Sequence, residues 1–156
     1  MIRCIVAIDS ERGLADNHGI PWQGKVPTDA RYFREQTTGG DILMGFKTYQ
    51  EFTAPLPERR NYVLTHSGDA LRDGFLAVMD VTAFLAEHPS AWVIGGAGLF
   101  AKTIDVADEL YITQLEGTFS CTRFFPAFEH DFVLADQSEP LTENGITYSF
   151  QIWRHI

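Results

Sequence analysis

Hydrophobic positions fall into short runs separated by glycine-, proline- and polar-rich breaks. The first run, Cys4-Ile5-Val6-Ala7-Ile8, is nearly continuous, which marks a central strand covered on both faces. Pro27 then opens a helix with its φ preset, Asp29 and Phe33 follow four residues apart, and Thr37-Thr38-Gly39-Gly40 stops it. Ile42-Leu43-Met44 predicts a short buried strand, and 47–52 a short helix that ends at Pro55-Leu56-Pro57. Strands are expected over 60–65 and, more weakly, 75–78; a helix over 82–87, a strand over 91–94 and a helix over 99–104 complete this part. Residues 109–115 alternate as a strand, and two more β segments, 132–135 and 147–153, follow with no helix between them.

Strand alternates with helix through most of the chain, whereas the last third is strands alone. That order predicts an α/β sandwich whose parallel sheet gains antiparallel strands at the C-terminal end. With 156 residues and no repeat, linker or low-complexity tract, a single domain over 1–156 is expected. One connection stands out. Residues 9–25 carry Gly13, Gly19, Pro21 and Gly24 and no hydrophobic period, which is long for a structureless connection and is expected to be a mobile active-site loop.

Composition changes this picture mainly by exclusion. The chain is 45% hydrophobic and 21% charged, as a folded domain should be. Its net charge of -9, without any block of like charge, argues against nucleic acid and anionic membrane as partners. An anionic small molecule stays possible, since a pocket needs only a few well-placed cations. Cys4 and Cys121 lie far apart and outside any CxxC pattern, which suits a reduced, cytoplasmic protein. The apolar stretch 2–8 is too short for a signal peptide and no run reaches membrane-spanning length, so a soluble, unprocessed protein is expected.

Several residues could carry chemistry. Asp29 sits in the first helical turn, where the helix dipole alone would favour a carboxylate. Its neighbours Val26, Pro27, Ala30, Tyr32 and Phe33 are apolar, and a carboxylate facing an apolar cleft is suited to proton chemistry; the two readings stand level. Gly95-Gly96-Ala97-Gly98 lies between a strand and a helix, as a phosphate site or as a tight turn. Arg59 or Arg60, just after Pro55-Leu56-Pro57-Glu58, could clamp a carboxylate or merely edge a strand. Trp22 could anchor a lid or plug the core, and Thr113 could offer a hydroxyl to a pocket or be an ordinary strand residue. The histidines show no metal-ligand spacing, so no metal is expected, and neither a G-x-S-x-G elbow nor a Walker loop is present.

The order of these features is more specific than any one of them. An apolar first strand with Ala7 leads to Gly19-Ile20-Pro21-Trp22, then Pro27-x-Asp29-x-x-x-Phe33, then Met44-Gly45-x-x-Thr48-Tyr49. Pro55-Leu56-Pro57-x-Arg59-x-Asn61, Val93-Ile94-Gly95-Gly96, Leu110-Tyr111-Ile112-Thr113 and Phe125-Pro126 complete the series. Over essentially the whole chain this resembles the dihydrofolate reductase family. The resemblance implies a three-layer sandwich with an eight-stranded mixed sheet and about four helices. It also implies NADPH-dependent reduction of dihydrofolate to tetrahydrofolate in one-carbon metabolism, in a cytoplasmic enzyme that is a target of antifolates and, by family default, a monomer.

By the same resemblance, Asp29 hydrogen-bonds the pterin amino group and ring N3 and favours protonation of N5 through a water near Trp22, and Thr113 orients both partners. Ile5, Phe33, Phe52 and Leu56 grip the pterin and benzoyl groups, and Arg59 binds the glutamate carboxylate of the substrate tail. Ala7, Leu14, Ile20, Lys47, Thr48, Thr65, His66, Gly95, Gly96, Ala97, Gly98, Leu99 and Phe100 match cofactor contacts. The chain departs from the family at Phe46 and Gly98, where basic residues commonly help to hold the adenosine 2′-phosphate. That task then falls to Lys47, His66 or Arg72, and NADH becomes a possible second cofactor. Cys121-Thr122-Arg123-Phe124-Phe125 replaces a usual Asp-Thr turn, and Gly24-Lys25 adds length at the cleft entrance. Two rival readings are another pteridine or pyrimidine reductase on this fold, which would not require the Asp29 and Arg59 pairing, and a non-catalytic pteridine- or nucleotide-binding protein.

Overall fold

Side chains of the first strand, β1 (Arg3–Ile8), leave its two faces alternately. In the computed structural model, which describes residues 1–67 and 70–156, Cys4 and Ile8 enter one apolar cluster with Leu43, Val93, Leu110 and Ile112. Ile5 enters another with Ile42, Met44, Val63 and Trp92. The first cluster is closed by Phe84 and Leu85 of α3 (Val81–Glu87) and by Leu99 and Phe100 of α4 (Ala97–Thr103). The second is closed by Tyr32 and Phe33 of α1 (Pro27–Thr37) and Tyr49 of α2 (Phe46–Glu51). Helices on both faces explain why the strands read as continuous hydrophobic runs, and the three layers are those expected.

The remaining strands are β2 (Gly13–Ala15), β3 (Asp41–Gly45), β4 (Arg60–Leu64), β5 (Phe75–Val78), β6 (Trp92–Val93), β7 (Glu109–Leu115), β8 (Arg123–Phe124), β9 (Phe132–Gln137), β10 (Leu141–Glu143) and β11 (Ile146–His155). Across the main sheet the order is β10-β11-β7-β1-β6-β3-β4-β5, and β9 also pairs with β11. Because β7 occupies one edge of β11, β9 and β10 share the other, so nine segments fill eight strand positions. All pairs from β7 to β5 are parallel, and the β11 pairs are antiparallel. This is the mixed sheet predicted, with, among the described residues, four α-helices and one 3-10 turn at Ile104–Val106. No described helix is long and apolar enough to cross a membrane.

One expectation needs correction. Residues 9–25 are not structureless: β2 pairs with β8, and Asp16 bridges to Gly19. Gly13 is the reason that stretch reads as loop and also the reason it packs, because a Cβ there would lie 2.5 Å from Cβ of Cys121. Three short strands, β2, β8 and β10, escape a reading based on hydrophobic period because each spans too few residues to show one.

The parallel strands place their C-terminal ends along one edge. Gly45, Leu64, Ile8 and Val93 therefore deliver residues 9–20, 46–48, 65–66 and 95–98 to the same side of the molecule. Ligands of open α/β sheets bind outside such ends, where the chain switches direction across the sheet. Here the switch lies at β1: the chain fills β3, β4, β5 and β6 on one side of it before crossing to β7 on the other.

Candidate active site

Asp29 and Thr113 are 84 residues apart in sequence and meet beneath α1. Strand register sets Thr113 beside Ala7 on one side and Phe150 on the other, so the hydroxyl rises from the middle of the sheet. Thr113, which is buried, donates from Oγ1 to Oδ1 of Asp29 at 2.6 Å. The N-cap of α1 is Val26, which offers no capping side chain, and the Asp29 carboxylate reaches across to β7 instead. The choice between a dipole residue and a cleft residue thus falls to the cleft. Burial pushes the Asp29 carboxyl above its ordinary range; the Thr113 hydroxyl works against that, and the negative charge of Glu143 works with it.

The apolar residues expected beside this carboxyl gather in one cluster on the α1 side of the sheet. Ile5 belongs to the buried α1-side cluster, and Phe33, Phe52 and Leu56 pack half-buried against it. Arg59 is fixed by its own surroundings: Nε donates to the Pro57 carbonyl at 2.9 Å and Nη1 to Oγ1 of Thr37 at 3.1 Å. Its guanidinium lies 6.0 Å from the Phe33 ring centroid. Burial and the neighbouring Arg34 lower its pKa, against the pull of Glu58; a groove of about 420 Å³ between α1 and residues 57–59 is lined by Arg34 and Arg59 together with Glu35 and Glu58. Arg60 pairs with Asp41 on the far side and takes no part.

Trp22 is a plug. It is 2% exposed and meets Phe119 edge-on at 5.2 Å, in a cluster with Val26, Leu115, Ile146 and Tyr148 that Ala7 and Phe150 also join. The loop that carries it is held at both ends. Asp9, 2% exposed, accepts from the amides of Glu11 and Gly13 through Oδ1 and of Phe119 through Oδ2. The Thr122 amide donates to the Ala15 carbonyl at 2.9 Å, so the unusual 121–125 turn still docks on this loop, and Asn144 Nδ2 donates to the Lys25 carbonyl. Ile20 is left exposed.

The opposite rim is built on the glycine turn at 95–98. The Gly45 amide donates to the Gly95 carbonyl at 2.8 Å, which draws the ends of β3 and β6 together. Gly95 stands at φ +122°, where L side chains are rare, and the Gly95–Gly96 peptide is cis. A Cβ on Gly96 would lie 3.6 Å from Thr48 Oγ1, so that hydroxyl faces the glycine turn, and beyond Gly98 the space is open. Lys47 and His66 are exposed close by on the ends of α2 and β4. Thr65 is buried, its hydroxyl donating to the Ser67 carbonyl. Leu14, Leu99 and Phe100 spend their side chains on the core, which leaves backbone to offer, and Ala97 is half-buried beside them. Arg72 is a correction: Nη2 donates to the carbonyls of Tyr49 and Phe52, and the guanidinium stacks 4.0 Å from the Tyr49 ring centroid. That nitrogen is thereby committed to the main chain of 49–52.

Reasoning from sequence missed Ile94 and Tyr111, which join the α1-side cluster, as well as Arg34, Asp9 and Glu143. Ile94 had a signal, since it ends a buried strand directly before the glycine turn. Arg34 stands one residue beyond Phe33, on the edge of the same face. Glu143 had no signal before strand pairing was known.

Comparison with known proteins agrees with this geometry. The dihydrofolate reductase family profile matches residues 1–155. A dihydrofolate reductase of Bacillus subtilis is 33% identical over 159 residues, covering 98% of this chain and 94% of its own length. One from Staphylococcus aureus is 32% identical over 149 residues, covering 94% and 92%. The solved structure of dihydrofolate reductase from Enterococcus faecalis, complexed with NADP(H) and RAB-propyl, superposes with a TM-score of 0.88 at 26% identity over 99% of this chain and 96% of that one. The chain belongs to the dihydrofolate reductase family.

Proposed function

We propose that the chain is an oxidoreductase that reduces 7,8-dihydrofolate to 5,6,7,8-tetrahydrofolate with NADPH. The observation that carries this reading is the Asp29–Thr113 pair: a carboxyl raised by burial and oriented by one hydroxyl, on the side of the sheet where Phe33 packs in an apolar cluster and Arg59 lies against its ring. Asp29 takes the pterin amino group and N3, and Thr113 holds the carboxyl in position for both. Ile5, Phe33, Phe52 and Leu56 keep the ring in one plane, which replaces a bimolecular encounter by a fixed orientation. Arg59, prepositioned by Thr37 and Pro57, binds the tail carboxylate.

Bound NADPH supplies the hydride. Thr48, Lys47, His66 and the backbone of 95–98 hold the dinucleotide, with Ala7, Leu14 and Ile20 on the nicotinamide side. Asp29 stands at the far end of the pterin from N5, so it supplies protons indirectly: its raised carboxyl keeps a proton at the site, and a water beside Trp22 passes one to N5. Loop 9–25, pinned by Asp9 and Trp22, keeps bulk water from the reacting face. The protein works as a single-domain, cytoplasmic monomer with a small-molecule substrate and neither nucleic acid nor membrane as partner. With Phe46 and Gly98 in place of basic residues, preference for NADPH rests on Lys47 and His66, and NADH is a weaker alternative donor.

Loss of nicotinamide absorbance on adding dihydrofolate, followed with NADPH and NADH in parallel, tests the reading. Dihydrofolate-dependent oxidation, faster with NADPH, is the expected result. Silence with both cofactors would refute it.

A further inference from the structure

We propose that Glu143 is a positioning residue of this site: it fixes the helical turn that carries Asp29 and sets a carboxylate, held by Thr28 and Tyr148, beside it. The proposal rests on the function proposed above and adds to it a residue from the far strand of the sheet.

The sequence builds the contact from a distance. Asn144 and Gly145 both adopt positive φ, +50° and +78°, as a two-residue hairpin turn requires, and this sets Glu143 opposite Ile146 at the end of β10. From there its carboxylate reaches α1. Oε1 accepts from the Thr28 amide at 3.1 Å and Oε2 from the Thr28 hydroxyl at 2.5 Å. The Thr28 amide is one of the N–H groups that a helix leaves without partners in its first turn, and Val26 at the N-cap provides no acceptor side chain. Glu143 therefore caps α1 from another element. Oε1 also accepts from the hydroxyl of Tyr148, whose ring is fully buried on β11.

Asp29 is thereby held from two directions. Thr113 on β7 grips the carboxyl itself, and Glu143, braced by Tyr148, grips the residue before it. The charge of Glu143 has a defined effect as well. The Thr28 hydroxyl, the Tyr148 hydroxyl and the Thr28 amide all donate to it and hold its carboxyl below the usual carboxylate range, which favours its charged form. A fixed negative charge beside a half-buried carboxyl disfavours a second one, and Glu143 adds to burial in raising Asp29. The other charged and titratable groups around the pair are Tyr148 on β11, Tyr32 on α1, which in turn faces Tyr111 on β7 and Asp136 on β9, and Arg31, whose charge lowers Glu143 and which pairs with Glu35 at 3.9 Å. Tyr32 and Tyr148 are raised and stay neutral.

Two variants separate charge from scaffold. Glu143→Gln keeps the shape and an acceptor but removes the charge, whereas Tyr148→Phe keeps the charge and removes a brace. Asp29 is titrated directly in the ligand-free protein by carboxyl carbon NMR, and the alkaline fall of turnover is recorded with KM. For Glu143→Gln the Asp29 midpoint is expected to drop by roughly half a pH unit to one unit. The alkaline fall should move with it, with KM for dihydrofolate within about twofold. For Tyr148→Phe the midpoint should stay at or above that of the wild type. An Asp29 midpoint unmoved by Glu143→Gln, or moved equally by both variants, would overturn the proposal. Failure of the wild type to oxidise cofactor with dihydrofolate would refute the function instead, and the NMR titration would still decide the role of Glu143.

Discussion

Asp9 is buried and Asp29 partly so, and the regions around them use a carboxylate in opposite ways. Asp9 receives three backbone amides from two loops and is nearly inaccessible. Asp29 is half-buried and, among the described residues, receives one side-chain donor, the Thr113 hydroxyl. Amides are fixed dipoles with no other task, so the first arrangement stitches residues 9–13 to 119. The second leaves acceptor capacity free for a ligand and places the proton equilibrium under the control of burial and of Glu143. Partners, rather than depth, distinguish the scaffold carboxylate from the chemical one.

Substitution at each position sharpens the contrast. The largest effect belongs to Asp29→Asn, which keeps an acceptor for Thr113. Steady-state turnover at neutral pH should fall by about 10²-fold or more, while dinucleotide affinity measured by fluorescence quenching stays at the wild-type value. Next comes Asp9→Ala, which strands the amides of Glu11, Gly13 and Phe119; urea unfolding should report a loss of about 2–4 kcal/mol. The smallest effect has the opposite sign. Because burial raises Asp29 above its unfolded value, its ionised form opposes folding, and the stability it permits below the unfolded pKa is lost as pH rises through the folded one. Asp29→Asn should therefore melt higher than the wild type in alkaline buffer, with the difference vanishing in acid; equal melting temperatures at both extremes would contradict the raised value.

Much of this architecture was legible in the residues. The continuous run at 4–8, the Pro27 start and the alternation over 109–115 mark elements because local preference and tertiary burial agree there. Asp29, Phe33 and Arg59 were legible as a set only through their order, since each alone had an equally good structural reading. What stayed hidden depends on pairing across the sheet. Nothing local shows that Gly13 must admit Cys121, that Thr113 faces α1, or that an Asn-Gly turn aims Glu143 at a helix 115 residues earlier. Arg72 failed for a related reason: its charge is visible in sequence, but the carbonyls of Tyr49 and Phe52 that absorb it are not.

The most direct test of the central claim is the single-turnover rate of nicotinamide oxidation with dihydrofolate, measured across a pH series for the wild type and for Asp29→Asn. The wild-type rate should fall as pH rises through the raised Asp29 range, and the variant should be slow and without that dependence. Matching rates and matching pH profiles in the two proteins would contradict it.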